Sequence, residues 1–133
     1  MNPRYARVAL RAEHRCEYCR APEAIFNFPF EVEHIIPVSR QWIDFENNLA
    51  LACRSCNLRK SMPIDGSDPE SQREVRLFHP REDRWDEHFT VDIETGLIEG
   101  LTAIGRATVV RLVMNSTAQI TARRQWIRIG FFP

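Results

Sequence analysis

The sequence lacks the features that mark membrane and secreted proteins. No window contains the ~18 consecutive apolar residues that a membrane-spanning helix needs. The first residues, Met-Asn-Pro-Arg-Tyr-Ala-Arg, contain neither the apolar core nor the small-residue cleavage site of a secretory signal. Internal repeats and low-complexity segments are also absent. We therefore expect a cytoplasmic protein, and a length of 133 residues with 44% hydrophobic content predicts a single folded domain.

The chain also lacks net charge, because 18 Lys and Arg residues balance 18 Asp and Glu residues. This balance by itself gives no support to a nucleic-acid partner. The distribution is uneven, with net charges of +2 over residues 1–60, −7 over residues 61–100 and +5 over residues 101–133. The basic last third could join the basic residues near position 60 in one positive surface, or it could form a solvated helix face.

The four cysteines occur as two Cys-x-x-Cys pairs, Cys16/Cys19 and Cys53/Cys56. Disulfides are not expected without a secretory signal, because cytosolic thiols stay reduced. A redox motif would need only one pair, and iron–sulfur spacings usually place three cysteines together. Two pairs supply the four thiolates of a closed tetrahedral site, so the spacing predicts one structural Zn²⁺.

A short ordered set of residues before and after the second pair has the side-chain types that phosphodiester hydrolysis needs. Glu33 and His34 precede Ile-Ile-Pro, Asn48 precedes a leucine, and Asn57 follows the last cysteine. Phosphodiester hydrolysis needs an activated water and a cation that absorbs charge on the phosphorane and the leaving oxygen. Carboxylate and amide oxygens suit Mg²⁺ or Mn²⁺. Histidine, with an unperturbed pKa of about 6.5, can take a proton from water at neutral pH.

This stretch resembles the HNH (ββα-metal) endonucleases. Their pattern runs acid-His-Ile-x-Pro, then Asn-Leu-x-x-x-Cys-x-x-Cys-Asn/His, then a basic residue. The resemblance implies that Glu33 and Asn57 bind a catalytic divalent metal, Mg²⁺ or Mn²⁺, that stabilises the leaving oxygen. It also implies that His34 is the general base and that Asn48 orients the imidazole or fixes the loop between His34 and Asn48. The implied substrate is double-stranded DNA, and we expect weak sequence specificity because no base-reading helix is identifiable.

Each of these residues also has an interpretation without catalysis. His34 could be a strand-end histidine bonded to a backbone carbonyl, Glu33 a solvated acid, and Asn47 could replace Asn48 as the motif asparagine. The chain as a whole could be a catalytically inactive, zinc-stapled module that binds nucleic acid, or a protein-interaction module. The adjacent Glu33 and His34 favour the nuclease, since a pure binding module has no use for a base beside a metal ligand.

Five basic side chains are candidates for contact with DNA phosphates: Arg54, Arg59, Lys60, Arg124 and Arg128. The last two lie one helical turn apart and could share a face. A single active site cuts one strand, so a double-strand break would need a homodimer or two successive events. The remaining histidines and the tryptophans are expected to be structural rather than functional: His14, His79, His88, Trp42, Trp85 and Trp126.

The periodicity of the sequence predicts an α+β fold. The resemblance implies that residues of about 14–62 form a ββα-metal core, followed by an extension at about residues 75–133. A helix over Tyr5–Glu13 should precede the core. Within the core we predict a helix over Arg54–Met62, strands over Phe26–Ile36 and Leu49–Ala52, and a loop over Val38–Glu46. The four-cysteine zinc site is expected to staple this core. A loop over Ser61–Glu74 should connect it to the extension.

In the extension we predict a hairpin and two helices. The hairpin should pair His88–Ile93 with Leu97–Glu99, and the helices should run from Thr102 to Met114 and from Thr117 to Ile129. This part also resembles an extension of many small bacterial HNH proteins, to which the resemblance assigns no mechanism. The matching residues are Phe78-x-Pro80-Arg81-x-Asp83-x-Trp85-x-Glu87-His88-Phe89, then Gly100 to Thr108.

Overall fold

The structure, a computed structural model, describes residues 1–37 and 45–133 and mixes helices with strands, as predicted. Its first element is helix α1, Tyr5–Arg11. This helix ends two residues before the predicted end at Glu13, because Glu13 and His14 adopt a positive φ of 55° that no α-helix can continue. The predicted loop over Val38–Glu46 falls mainly in residues 38–44, outside the described residues, as does Trp42.

Two short strands form an antiparallel hairpin against a helix. Strand β1, Glu31–His34, pairs with strand β2, Leu49–Ala52, in a register that places Glu33 opposite Ala50 and His34 opposite Leu49. All four residues of β2 are buried. Helix α2, Arg54–Lys60, follows directly and packs on both strands. The chain therefore runs strand, strand, helix through the segment where the motif lies, although β1 is much shorter than the predicted Phe26–Ile36.

The segment after α2 corrects one prediction. Strands β3, Asp65–Ser67, and β4, Glu74–Arg76, form an antiparallel hairpin inside the stretch expected to be a loop. The turn between them is held by Asp68, which accepts the backbone N–H groups of Glu70 and Ser71. Asp68 is also bonded through both oxygens to Arg106, at 2.9 and 3.0 Å. This contact comes from far along the chain, so local sequence could not reveal it.

The rest of the extension follows the prediction closely. Strands β5, Phe89–Val91, and β6, Ile98–Gly100, form the expected hairpin. Helix α4, Ala103–Arg111, and helix α5, Thr117–Arg128, follow it. His88 lies not in the strand but at the end of a one-turn helix, α3, Trp85–His88. Within the described residues, no helix combines the length and the apolar character needed to cross a membrane.

Helix α4 depends on two local features of the sequence. Thr102 caps it, since its hydroxyl oxygen accepts the N–H of Gly105 at 3.0 Å. Gly105 itself lies against α3, where an added Cβ would overlap the carbonyl oxygen of His88. The close packing of α4 on the preceding turn therefore requires glycine at this position. The helix stops before the predicted Met114 because Val113 has a positive φ of 48°.

The extension contacts the turn of the first cysteine pair. The Trp85 indole N–H donates to the carbonyl of Tyr18 at 2.8 Å, and Arg81 forms an ion pair with Glu17. Arg20 stacks on the Trp85 ring at 4.3 Å. Arg81 and Trp85, both part of the pattern shared with the extension of small bacterial HNH proteins, thus hold the extension on the turn of the first cysteine pair. A continuous hydrophobic core joins the two parts, and Trp126 lies in it as predicted.

Candidate active site and zinc centre

The four cysteines converge on one point. Their sulfur atoms all lie within 4.8 Å of one another, and the Cys19 and Cys53 sulfurs are 3.8 Å apart. A tetrahedral Zn²⁺ with bonds of about 2.3 Å has sulfur–sulfur edges of ~3.8 Å. All four side chains are buried. The cluster therefore fits a zinc site in which every position is filled by protein.

Each cysteine pair forms the same small turn. The Cys19 N–H points to the Cys16 sulfur and the Cys56 N–H points to the Cys53 sulfur, both at 3.5 Å. Cys53 is also the N-cap of α2. Hydrogen bonds from the neighbouring thiols, that of Cys16 first, lower the pKa of Cys53. The cluster joins the segment after α1 to the first turn of α2.

A buried cation lies near this cluster. Arg123, on α5, is fully buried and donates to the carbonyls of Gly96 and Met114, each at 2.7 Å. The described part of the chain offers it no carboxylate. Burial lowers the pKa of Arg123, and the negative charge of the cysteines opposes that shift. Four thiolates around Zn²⁺ carry a net charge of about −2, so this guanidinium is placed to balance a zinc-bound cluster.

The carboxylate of Glu33, the predicted metal ligand, is buried and already contacts two other side chains. Its side chain is 8% exposed, one oxygen accepts the Tyr18 hydroxyl, and the other lies 3.7 Å from the Lys60 ammonium group. Lys60 also donates to the carbonyl of Ile35 at 2.6 Å and is 2% exposed. Burial raises the pKa of Glu33 and lowers the pKa of Lys60, and each charge partly offsets the shift of the other. The interior position of Lys60 speaks against the phosphate contact predicted for it.

Asn57, the predicted amide ligand, contacts a different acid. Its side-chain N–H donates to the carboxylate of Glu31, two residues before Glu33 on β1. Glu31 is 44% exposed, and its other oxygen lies 4.0 Å from Arg54. The motif did not single out Glu31. The alternation of side chains along a strand points to it. Glu31 lies two residues before Glu33, the predicted metal ligand, so the two side chains share one face of β1.

His34 and Asn48 lie at the same end of the hairpin. His34 is the last residue of β1 and is partly exposed, and the chain bends directly after it, so strict alternation of faces need not hold for its side chain. The Asn48 amide accepts the N–H of Ile36 at 2.9 Å and donates to its carbonyl at 2.8 Å. Of the two roles expected for Asn48, these contacts support fixing the chain after His34. Asn47 is exposed in the turn that precedes β2.

The other candidate residues divide between surface and structure. Arg54 and Arg59 are exposed on α2, and Arg124 and Arg128 are exposed on α5. The three histidines outside the motif each contact a neighbouring group, as a structural role requires. The pairs are His14 with Glu23, His79 with the Arg81 N–H, and His88 with Thr102.

Comparison with known families identifies the segment that contains these residues. Residues 16–62 match the family model described as HNH endonuclease. This match confirms, for that segment, the resemblance to HNH endonucleases seen in the sequence. It includes both cysteine pairs, β1, β2 and α2. No curated protein and no solved structure gives a significant match to the chain.

Proposed function

We propose that the protein is a metal-dependent endonuclease that hydrolyses phosphodiester bonds of DNA. The observation that carries the proposal is the family match over residues 16–62, because this segment holds His34, Asn48 and Asn57 in one strand–strand–helix unit. The packing of α2 on β1 brings the Asn57 amide against a carboxylate of that strand. Paired carboxylate and amide oxygens fit a hard divalent cation such as Mg²⁺ or Mn²⁺.

Each residue of the unit has a distinct task in this mechanism. His34 takes a proton from the attacking water, which raises the nucleophilicity of its oxygen. Asn48 holds Ile36 through two hydrogen bonds and so fixes the backbone that carries His34. Asn57 and a β1 carboxylate would hold the metal. When bound, that cation stabilises the charge that develops on the phosphorane and the leaving oxygen.

The cysteine cluster has a separate role in the proposal. We assign it one structural Zn²⁺, since four thiolates leave no position for water or phosphate. The zinc joins the first cysteine turn to the start of α2, and α2 carries Asn57. Loss of zinc would therefore disturb the active site through the position of this helix.

The proposed substrate is double-stranded DNA, bound through its phosphates with weak sequence specificity. The exposed arginines Arg54, Arg59, Arg124 and Arg128 are the proposed phosphate contacts. One active site produces a nick, and a homodimer would be needed for a concerted double-strand break.

A plasmid-nicking assay tests the proposal. Supercoiled plasmid should become open circular with Mg²⁺ or Mn²⁺, remain supercoiled with EDTA, and be cut again when Mg²⁺ is restored. The zinc content is measured after EDTA, so that loss of the catalytic ion is distinguished from loss of the structural one. Folded, zinc-replete protein that binds DNA without nicking it would favour the binding-module alternative. Absence of both binding and nicking would favour a protein-interaction module.

A further inference from the structure

The acidic residues of β1 and the polar residues of α2 meet in two layers. Glu31 and Glu33 share one face of the strand, and Asn57 and Lys60 are one helical turn apart. The outer layer pairs Glu31 with Asn57, and the inner layer pairs Glu33 with Lys60. The two layers differ in burial and in what already occupies the carboxylate.

In the inner layer, the Glu33 carboxylate is already paired with the positively charged side chain of Lys60. The Lys60 ammonium group lies 3.7 Å from one Glu33 oxygen and is fixed by the Ile35 carbonyl at 2.6 Å. The second Glu33 oxygen accepts the hydroxyl of the buried Tyr18. A divalent ion on Glu33 would meet the positive charge of Lys60 at short range in a poorly screened interior. Displacing Lys60 or Tyr18 would leave a buried donor without its partner.

The outer layer is open. The Glu31 side chain is 44% exposed, and its carboxylate touches the Asn57 amide. The terminal torsion of asparagine is soft and roughly two-fold, so the amide can turn its oxygen instead of its nitrogen toward the site. Arg54 lies 4.0 Å from the other Glu31 oxygen and is itself exposed, so solvent screens its charge. Glu31 and Asn57 can therefore supply two oxygens to a hydrated ion without breaking a buried contact.

We propose that the ligands of the catalytic divalent metal are Glu31 and Asn57, rather than Glu33 and Asn57. The inner layer beneath this metal site is then structural. Lys60 forms an ion pair with Glu33, and the Tyr18 hydroxyl donates a hydrogen bond to Glu33. This inference rests on the proposed nuclease function and names the carboxylate that serves it. Glu31 is placed as a ligand, and Glu33 as a residue that fixes the hairpin on α2.

The test measures Mn²⁺ binding directly, by the electron paramagnetic resonance signal of free Mn²⁺ in titrations of zinc-replete protein. Glu31→Gln keeps the shape of the side chain and removes its charge, and it should weaken Mn²⁺ binding about tenfold or more. Glu33→Gln should bind Mn²⁺ like the parent. Glu99→Gln, at an exposed acid on β6, is the matched control and should also be unchanged. Asn57→Ala should lose binding as Glu31→Gln does.

Weakened Mn²⁺ binding in Glu33→Gln would overturn the inference, whether or not Glu31→Gln is also weakened. The inference would also be wrong if the parent protein showed no saturable Mn²⁺ binding, or if that binding did not depend on Asn57. If Glu33→Gln does not fold because Lys60 is left unpaired, the double variant Glu33→Gln/Lys60→Met replaces it, since both buried charges are then removed. Parent protein that binds Mn²⁺ through Glu31 and Asn57 but does not nick DNA would keep the site and refute the nuclease function.

Discussion

Lys60 lies beneath the β1–β2 hairpin, where its ammonium group contacts Glu33 and the carbonyl of Ile35. Lysine is rarely buried, so its position on a short helix predicted an exposed residue close to phosphate. The structure instead uses its charge to balance a buried carboxylate. The acid and the base come from different elements, and only the packing of α2 on β1 brings them together.

Lys60→Met should strongly destabilise the protein. The substitution leaves the Glu33 carboxylate buried without a cation, which typically costs about 3–5 kcal/mol. Adding Glu33→Gln to the same chain should recover much of that loss, because no buried charge remains. Urea denaturation of zinc-replete protein measures both effects. An unchanged free energy of unfolding in Lys60→Met would show that the pair does not stabilise the fold.

The residues of the motif were predictable because their order and spacing are specific. His34, Asn48, Asn57 and the cysteines were all singled out from the sequence, and the family match covers them. The partners of each side chain were not predictable. The hydrogen bond from Tyr18 to Glu33 forms because the first cysteine turn packs under the hairpin. No local sequence pattern indicates that packing.

The two cysteine turns belong to elements that are far apart along the chain. The first turn precedes β1 by a long irregular segment, and the second begins α2. Both turns place their amide N–H groups on sulfur and all four sulfurs within bonding range of one ion. Metal binding and folding are coupled in such sites, since the ligands converge only in the folded chain.

Cys53→Ser should unfold or severely destabilise the protein and abolish stoichiometric zinc. Serine is a preferred N-cap, so the substitution retains a cap for α2 and removes only the thiolate. The loss can therefore be attributed to the metal site. Zinc is measured by elemental analysis and folding by circular dichroism. Parent protein that is well folded with less than about half an equivalent of zinc would contradict the assignment.

The elements of the extension were predictable where local signals were strong. Alternating apolar residues marked β5 and β6, and Thr102 marked the start of α4. The β3–β4 hairpin was missed because its segment is polar and contains two prolines and a glycine, and because its turn is held by Arg106 from α4. Short strands that depend on a distant partner carry no periodicity that a sequence can reveal.

Across the whole molecule, several basic residues are used internally and do not add to the surface charge. Lys60 balances Glu33, Arg106 holds Asp68, and Arg123 is buried. The positive surface available to DNA is therefore smaller than the charge count of the sequence indicates. Exposed arginines remain on α2 and on α5.

Substitution of both Arg124 and Arg128 by alanine should weaken DNA binding and make it less dependent on salt. Each lost phosphate contact lowers the slope of log affinity against log salt by about one unit. Arg84→Ala removes an exposed arginine of the acidic segment and serves as the control. Fluorescence anisotropy over a range of salt concentrations measures the slope. If the double variant matches the parent in both affinity and slope, this face of α5 packs against a partner instead.

The central claim is that His34 acts as the base of a metal-dependent nuclease, and plasmid nicking by His34→Ala tests it most directly. We expect a rate loss of ~10²–10⁴-fold, with the fold, the zinc content and DNA binding retained. High Mg²⁺ should not restore activity to His34→Ala, whereas it should partly restore Asn57→Ala, which loses a metal ligand and not the base. Nicking by folded, zinc-replete His34→Ala at the rate of the parent would contradict the claim.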